Sequence, residues 1–278
     1  MKLPARSSEV TLSNVQIGPY PPLGFAPFPE GELGNGDQFG LYWPIGREQE
    51  EPIVCDMSHD DVTLIPAFSS LNRFLEAYED ADGWAEPPTV EEDDQSPVAC
   101  YTAAREALGR KDFDTAVELL ERALNILPEY GAALTSLFGQ YMRLRRQDEA
   151  LEIALRVLRS PLAFGPDAKQ ALRWFKTQKD CPGTLAGDPL WLRRNELEWN
   201  FGGVETNSTY GVLADAIESY RNCGNAIATV SLMQVYGELM SRETISFRER
   251  SGFDTSKHVD NLREYSRTAL SPRDALGP

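Results

Sequence analysis

His59 is one of two histidines in the chain, and it stands in the run Ser58-His59-Asp60-Asp61. An imidazole beside two carboxylates could hold a divalent cation or form a His–Asp pair for proton transfer. No second ligand motif accompanies it, so the same four residues also read as a polar surface turn. His258, the other histidine, is far away in sequence. Gly34-Asn35-Gly36-Asp37, with Gly40 behind it, has the glycine content of a phosphate-cradling loop. Such a loop needs a Lys-Ser/Thr and a helix amino end after it. A strand-like run follows instead, so the segment is expected to be a turn opening a strand. Cys55, Cys100, Cys181 and Cys223 are scattered, with no Cys-x-x-Cys pair. That pattern argues against a zinc site and for thiols kept in a reducing compartment. No GxSxG, HExxH or paired-carboxylate motif occurs. The expectation is a protein that is not an enzyme, with no cofactor and no metal.

Charge is distributed unevenly. Residues 1–95 contain 4 Lys and Arg against 19 Asp and Glu, a net charge of −15 out of −16 for the whole chain. An acidic first third followed by a near-neutral remainder suggests two parts with different roles. Phosphate backbones would be repelled, so nucleic acid is excluded as a partner and a basic protein is favoured. No run of 18 apolar residues occurs, so no membrane span is expected. The Met1–Arg6 start has no apolar segment behind it, so no secretory signal is read and the location is expected to be cytoplasmic.

These residues need elements to position them. Residues 1–36 are rich in Pro and Gly and read as loop, with a short strand at Glu9–Leu12. Gln38–Tyr42, Pro52–Asp56 and Val62–Ile65 read as short strands of an antiparallel meander. Ser69 or Ser70 then caps a helix over Leu71–Tyr78. The first part is therefore an α+β domain over 1–80, a small antiparallel sheet with a helix. Residues 81–96 are acidic around Pro87-Pro88 and read as a solvated linker.

Helical periodicity takes over after Pro97. Ala116 and Ala150 lie 34 residues apart, the period of the tetratricopeptide repeat. Ala104, Ala107, Phe113, Leu120, Ala123, Leu124 and Pro128 fall on the small and apolar positions of one copy. Leu137, Phe138, Tyr141, Ala154, Val157 and Leu158 do so in the next. Residues 97–160 thus resemble two tetratricopeptide (TPR) repeats of an all-α, TPR-like domain. On that alignment Tyr101, Arg105, Met142 and Arg143 face the groove. Residues 161–278 read as degenerate repeats or capping helices, at Pro166–Lys179, Pro189–Asn200, Tyr210–Tyr220, Ala226–Arg242 and Ser256–Ala269.

A second resemblance rests on Phe28-Pro29-Glu30, Gly34-Asn35-Gly36-Asp37-Gln38-Phe39-Gly40-Leu41, Pro52-Ile53-Val54, His59-Asp60 and Phe68-Ser69-Ser70-Leu71-Asn72-Arg73-Phe74-Leu75. In this order they resemble the core of the SUKH superfamily over residues 23–78. The helices that precede the sheet in that family are missing from residues 1–22. The resemblance implies a non-enzymatic binding domain, often a bacterial immunity protein that covers a cognate toxin, commonly a nuclease.

The expected function is therefore an immunity protein that occludes a basic toxin. Its contacts would be the acidic loops 47–51 and 56–61, through Glu48, Glu50, Glu51, Asp60 and Asp61, with Tyr42 and Trp43 as apolar anchors. Tyr42 and Trp43 are adjacent, so one strand would point them to opposite faces, and both could be core. Tyr101, Arg105 and Arg143 would add contacts from the repeats. A TPR adaptor whose acidic head only solubilises it is the alternative. A metal-assisted enzyme using His59, Asp60 and Asp61 is the third possibility.

Overall fold

The computed structural model describes residues 3–6, 22–32, 36–61, 63–80, 85–165, 168–202 and 207–270. The strand expected at Glu9–Leu12 and the turn residues Gly34 and Asn35 lie outside them. Four strands, β1 (Phe25–Glu32), β2 (Gln38–Tyr42), β3 (Ile53–Met57) and β4 (Leu64–Phe68), form an antiparallel meander in the order β1-β2-β3-β4. The fold is α+β: this sheet comes first and a helical region follows.

β1 corrects the expectation of loop across residues 1–36. Among the described residues it is an edge strand, where a proline without an N–H can be accommodated. Pro27 faces Gly40 in the register with β2, and a register shift separates it from Glu32. Gly40 must lack a side chain, because a Cβ there would sit 2.6 Å from the Phe25 ring.

Alternation along the strands gives the sheet two apolar faces. Ala26, Phe28, Phe39, Leu41, Trp43 and Val54 face helix α1 (Leu71–Asp80). Phe74 of α1 is ringed by Phe28, Phe39, Phe68 and Tyr78 at centroid distances of 5.4, 4.8, 5.5 and 5.7 Å. Phe25, Tyr42, Ile53, Cys55 and Leu64 point the other way and join the core of the helical region.

That region begins with two helical hairpins, α2 (Pro97–Gly109) with α3 (Phe113–Ile126), then α4 (Gly131–Arg143) with α5 (Gln147–Leu158). Ser96 caps α2, whose first residue is Pro97. Equivalent helices start 34 residues apart. The turns match at the same offset, because Lys111 and Arg145 both adopt positive φ, 63° and 58°. Ala104, Ala107, Ala116 and Ala123 are buried where the helix axes approach. A 3-10 turn at Leu162–Phe164 leads to α6 (Lys169–Thr177) and the short α7 (Pro189–Leu192). The helix expected over Pro189–Asn200 stops after one turn, at Leu192. α8 (Ser208–Asn222), α9 (Ala226–Ser241), α10 (Ile245–Ser251) and α11 (Thr255–Ala269) complete the chain, α10 being unexpected from sequence. α9 is buried nearly all round, which makes it the central element of the carboxy-terminal part.

Two buried carboxylates join these pieces. Glu129, between α3 and α4, accepts hydrogen bonds from the Tyr42 hydroxyl at 2.7 Å and the Ile45 amide at 2.9 Å. Glu238 of α9 is fully buried and accepts from the Leu162 amide at 2.6 Å and from Gln234 Nε2 at 2.9 Å. Gln234 Oε1 in turn accepts from the Leu23 amide at 3.2 Å. Tyr42 also stacks edge-on against Phe164 at 4.7 Å.

Tyr42→Phe removes one of the two donors to Glu129. Unfolding in denaturant should show a loss of about 1–3 kcal/mol for that variant. Burial also pushes the Glu238 carboxyl up to about 8 from an ordinary 4.5. The stabilisation from its protonated form is complete below the ordinary value and is lost as pH rises through about 8. Melting temperatures measured from about pH 5 to pH 9 should fall less steeply for Glu238→Gln than for the native chain.

Candidate functional site

Among the described residues, acidic side chains and a defined cavity coincide at a cleft of about 550 Å³ between α1 and residues 86–93. The segment is held beside α1 by Asp93. Asp93 is buried and accepts from the Ser69 amide at 2.8 Å, just ahead of α1. Ser96 extends the anchor, donating to the Ala67 carbonyl of β4. A single helical turn precedes Asp93: the Glu92 carboxylate accepts from the Thr89 amide at 2.8 Å and from its hydroxyl at 2.9 Å. Those bonds hold the Glu92 carboxyl below its ordinary range, so it is an anion. Within the acidic stretch expected as a solvated linker, Ala85, Asp93 and Ser96 are buried, while Glu86, Glu91, Glu92 and Asp94 remain exposed.

The cleft has an apolar floor of Phe68, Ala77, Pro87 and Pro88, and Glu76, Asp80, Glu86 and Glu92 stand around it. Arg73 is the one cation in its lining, and it pairs with Glu76 at 3.3 Å. An apolar floor with a carboxylate rim suits a lysine or arginine side chain, whose methylenes bury while its head stays charged.

The acidic turn at the end of the sheet is a second, smaller feature. His59 Nδ1 lies 2.9 Å from Asp37 Oδ1, and its Nε2 lies 3.1 Å from Asp60. The hydrogen bond to Asp37 raises the His59 pKa, with the charges of Asp60 and Asp37 adding to it. The ring thus lies between two carboxylates, which favour its protonated form. Asp61 turns away to bond the Thr63 amide and hydroxyl at 3.1 and 2.7 Å. The trio His59, Asp60 and Asp61 does not converge, and no group of three or more His, Cys, Asp or Glu among the described residues could hold a metal. Asp56, nearby on β3, is pushed up to about 6 by burial first and the charge of Asp37 second, and its Oδ1 has no hydrogen bond.

Several other expected contact residues are taken up by the fold. Tyr42 and Trp43 are buried on opposite faces of the sheet, so neither is a surface anchor. Glu48 is buried and accepts from the Gly46 amide at 2.7 Å within its own loop. Arg47 of that loop donates to the Asn125 and Ile126 carbonyls at the end of α3, which makes the loop a strap between sheet and helices. Glu50 and Glu51 remain exposed. Tyr101 is half-buried and stacks on Tyr130 at 5.5 Å, while Arg143 covers the Phe113 ring at 4.3 Å. Arg105 is exposed on α2. Tyr101 and Arg105 lie one turn apart on α2, and Arg143 ends α4.

Two family models match the chain, the YfbP N-terminal domain over residues 10–86 and the YfbP C-terminal domain over residues 200–272. The "Uncharacterized protein YfbP" of Escherichia coli (strain K12) is 33% identical over 269 residues, covering 95% of each chain. The chain belongs to the YfbP family.

This corrects both resemblances read from sequence. The segment likened to SUKH, residues 23–78, falls inside the YfbP N-terminal domain. Short strands and a capped helix in the same order are common to many small sheets. The family match at the carboxy-terminal end is likewise a YfbP domain, not a tetratricopeptide one. The 34-residue recurrence describes two helical hairpins of equal length, which lie between the matched segments. The acidic cleft is built from the YfbP N-terminal domain up to residue 86 and from residues just beyond it. Sequence reasoning missed the cleft because no local pattern shows that residues 86–93 pack beside α1.

In proton-detected NMR titrations, His59 should titrate above the ordinary histidine range. Asp37→Asn should bring its midpoint down, and an unchanged midpoint would show that the Asp37 contact does not form in solution.

Proposed function

We propose that this chain is a binding protein whose acidic amino-terminal part receives a basic segment of another protein. The single observation that carries the reading is the cleft between α1 and residues 86–93, with its carboxylate rim and apolar floor. The net charge of −15 on residues 1–95 supports it, since such a field steers a basic partner and raises its association rate by ~10–10³-fold at low salt. The same field argues against nucleic acid as the ligand. No helix among the described residues is long and apolar enough to cross a membrane. All four cysteines are free thiols, which supports a reducing, cytoplasmic setting. The narrower reading, occlusion of a co-encoded toxin, rested on the SUKH resemblance and loses that support with it.

An oligolysine peptide titrated calorimetrically into the full chain tests the reading. Binding should weaken as salt is raised through ~0.15 M, and Asp80→Lys with Glu86→Lys should abolish it. The pair Asp260→Lys with Glu264→Lys, exposed on α11, changes net charge equally and should leave most of the affinity. Equal losses in the two double variants would show that the cleft does not select the peptide.

A further inference from the structure

A second cleft, of about 280 Å³, lies between the end of α5 and the start of α9 and is opposite in character. Arg156, Arg159, Ser160, Asn225 and Ser231 line it, with Ile227 and Ile45 at its apolar edges. Arg156 donates to the Pro128 carbonyl at 2.8 Å, and Arg159 lies over the Tyr220 ring at 5.6 Å. Neither guanidinium has a carboxylate within ion-pair distance among the described residues, although acids outnumber bases 43 to 27 in the chain. One acid, Glu129, stands in the same wall, and its Oε1 is already held by Tyr42 and Ile45. Ser160 is likewise occupied, donating to the Glu129 carbonyl at 2.6 Å. α9 brings its amino end to the cleft at Asn225, which caps the helix through the Ala228 amide at 3.1 Å.

One function of the arginines is structural. Both stand at the carboxy-terminal end of α5, where positive charge complements the helix dipole. That role holds for partly buried cations too, but it does not account for two half-buried guanidiniums lining one cleft beside the amino end of another helix. Such a grouping desolvates cations next to each other, a cost that a bound dianion offsets.

We infer that this cleft is a binding site for a phosphoryl group, carried by inorganic phosphate or by a small phosphomonoester. Two guanidiniums and one helix amino end supply more positive charge than a monovalent carboxylate requires, and the fork of arginine fits phosphate oxygens. The volume lies just below the ~300–1,000 Å³ of sites for larger ligands, so the occupant is small. The site is separate from the acidic cleft and independent of the function proposed above.

The test is a titration of the full chain with inorganic phosphate, O-phosphoserine and acetate at constant ionic strength, read as amide shifts in two-dimensional NMR. Saturable shifts at Ile227, Ala228 and Arg159 below ~10 mM phosphate are expected, with acetate weaker. Tighter binding of O-phosphoserine than of phosphate would assign the phosphomonoester, and the reverse order the free anion. Arg159→Gln should weaken binding by about tenfold. Ile227→Asp is an independent variant: a carboxylate in the first turn favours the helix, so the fold is kept while the anion is repelled. Phosphate binding that survives Ile227→Asp, or shifts that never saturate, would overturn the inference.

Discussion

The burial of two carboxylates, Glu129 and Glu238, is the constraint on which the rest of the structure depends. A buried carboxyl needs donors, and each of these draws them from a distant part of the chain. Glu129 recruits Tyr42 and Ile45 from the sheet and its following loop. Glu238 recruits Leu162, and through Gln234 it reaches Leu23 at the start of β1. The two matched YfbP domains, separated by more than a hundred residues of sequence, are therefore in direct polar contact. Apolar packing follows the same seam, where Leu23 and Ile45 meet Val230, Met233 and Leu262. The sheet behaves as one layer of a larger core rather than as an appended head.

That arrangement decides which charges are available. Glu48, Asp93, Glu129 and Glu238 are consumed internally as acceptors. What remains on the amino-terminal surface is a set of exposed carboxylates around an apolar floor, one of them paired with Arg73, and across the seam stand two guanidiniums with no ion pair among the described residues.

Much of the fold was legible in the residues themselves. The alternation in Gln38–Tyr42 and Ile53–Met57, the Ser-capped start of α1 and the 3.6-residue spacing of α2 to α5 are local signals, and the structure follows them. β1 was hidden because Pro27 and the neighbouring glycines read as loop, and only pairing with β2 makes them a strand. The adjacency of Tyr42 and Trp43 correctly implied opposite faces, and both turned out to be core. The candidate site was far less legible. Buried and exposed carboxylates look alike in sequence, and the acidic run at residues 81–96 gave no sign that Asp93 would be an internal anchor. The tertiary fold, not local pattern, assigns those roles.

Among the described residues the meander has two outer strands, and each carries an imino acid: Pro27 in β1 and Pro66 in β4. A proline offers no N–H to a docking backbone. A second molecule trying to extend the sheet laterally would meet a break in the ladder at either border. This is a built-in guard against self-polymerisation, independent of the repulsion between like-charged copies.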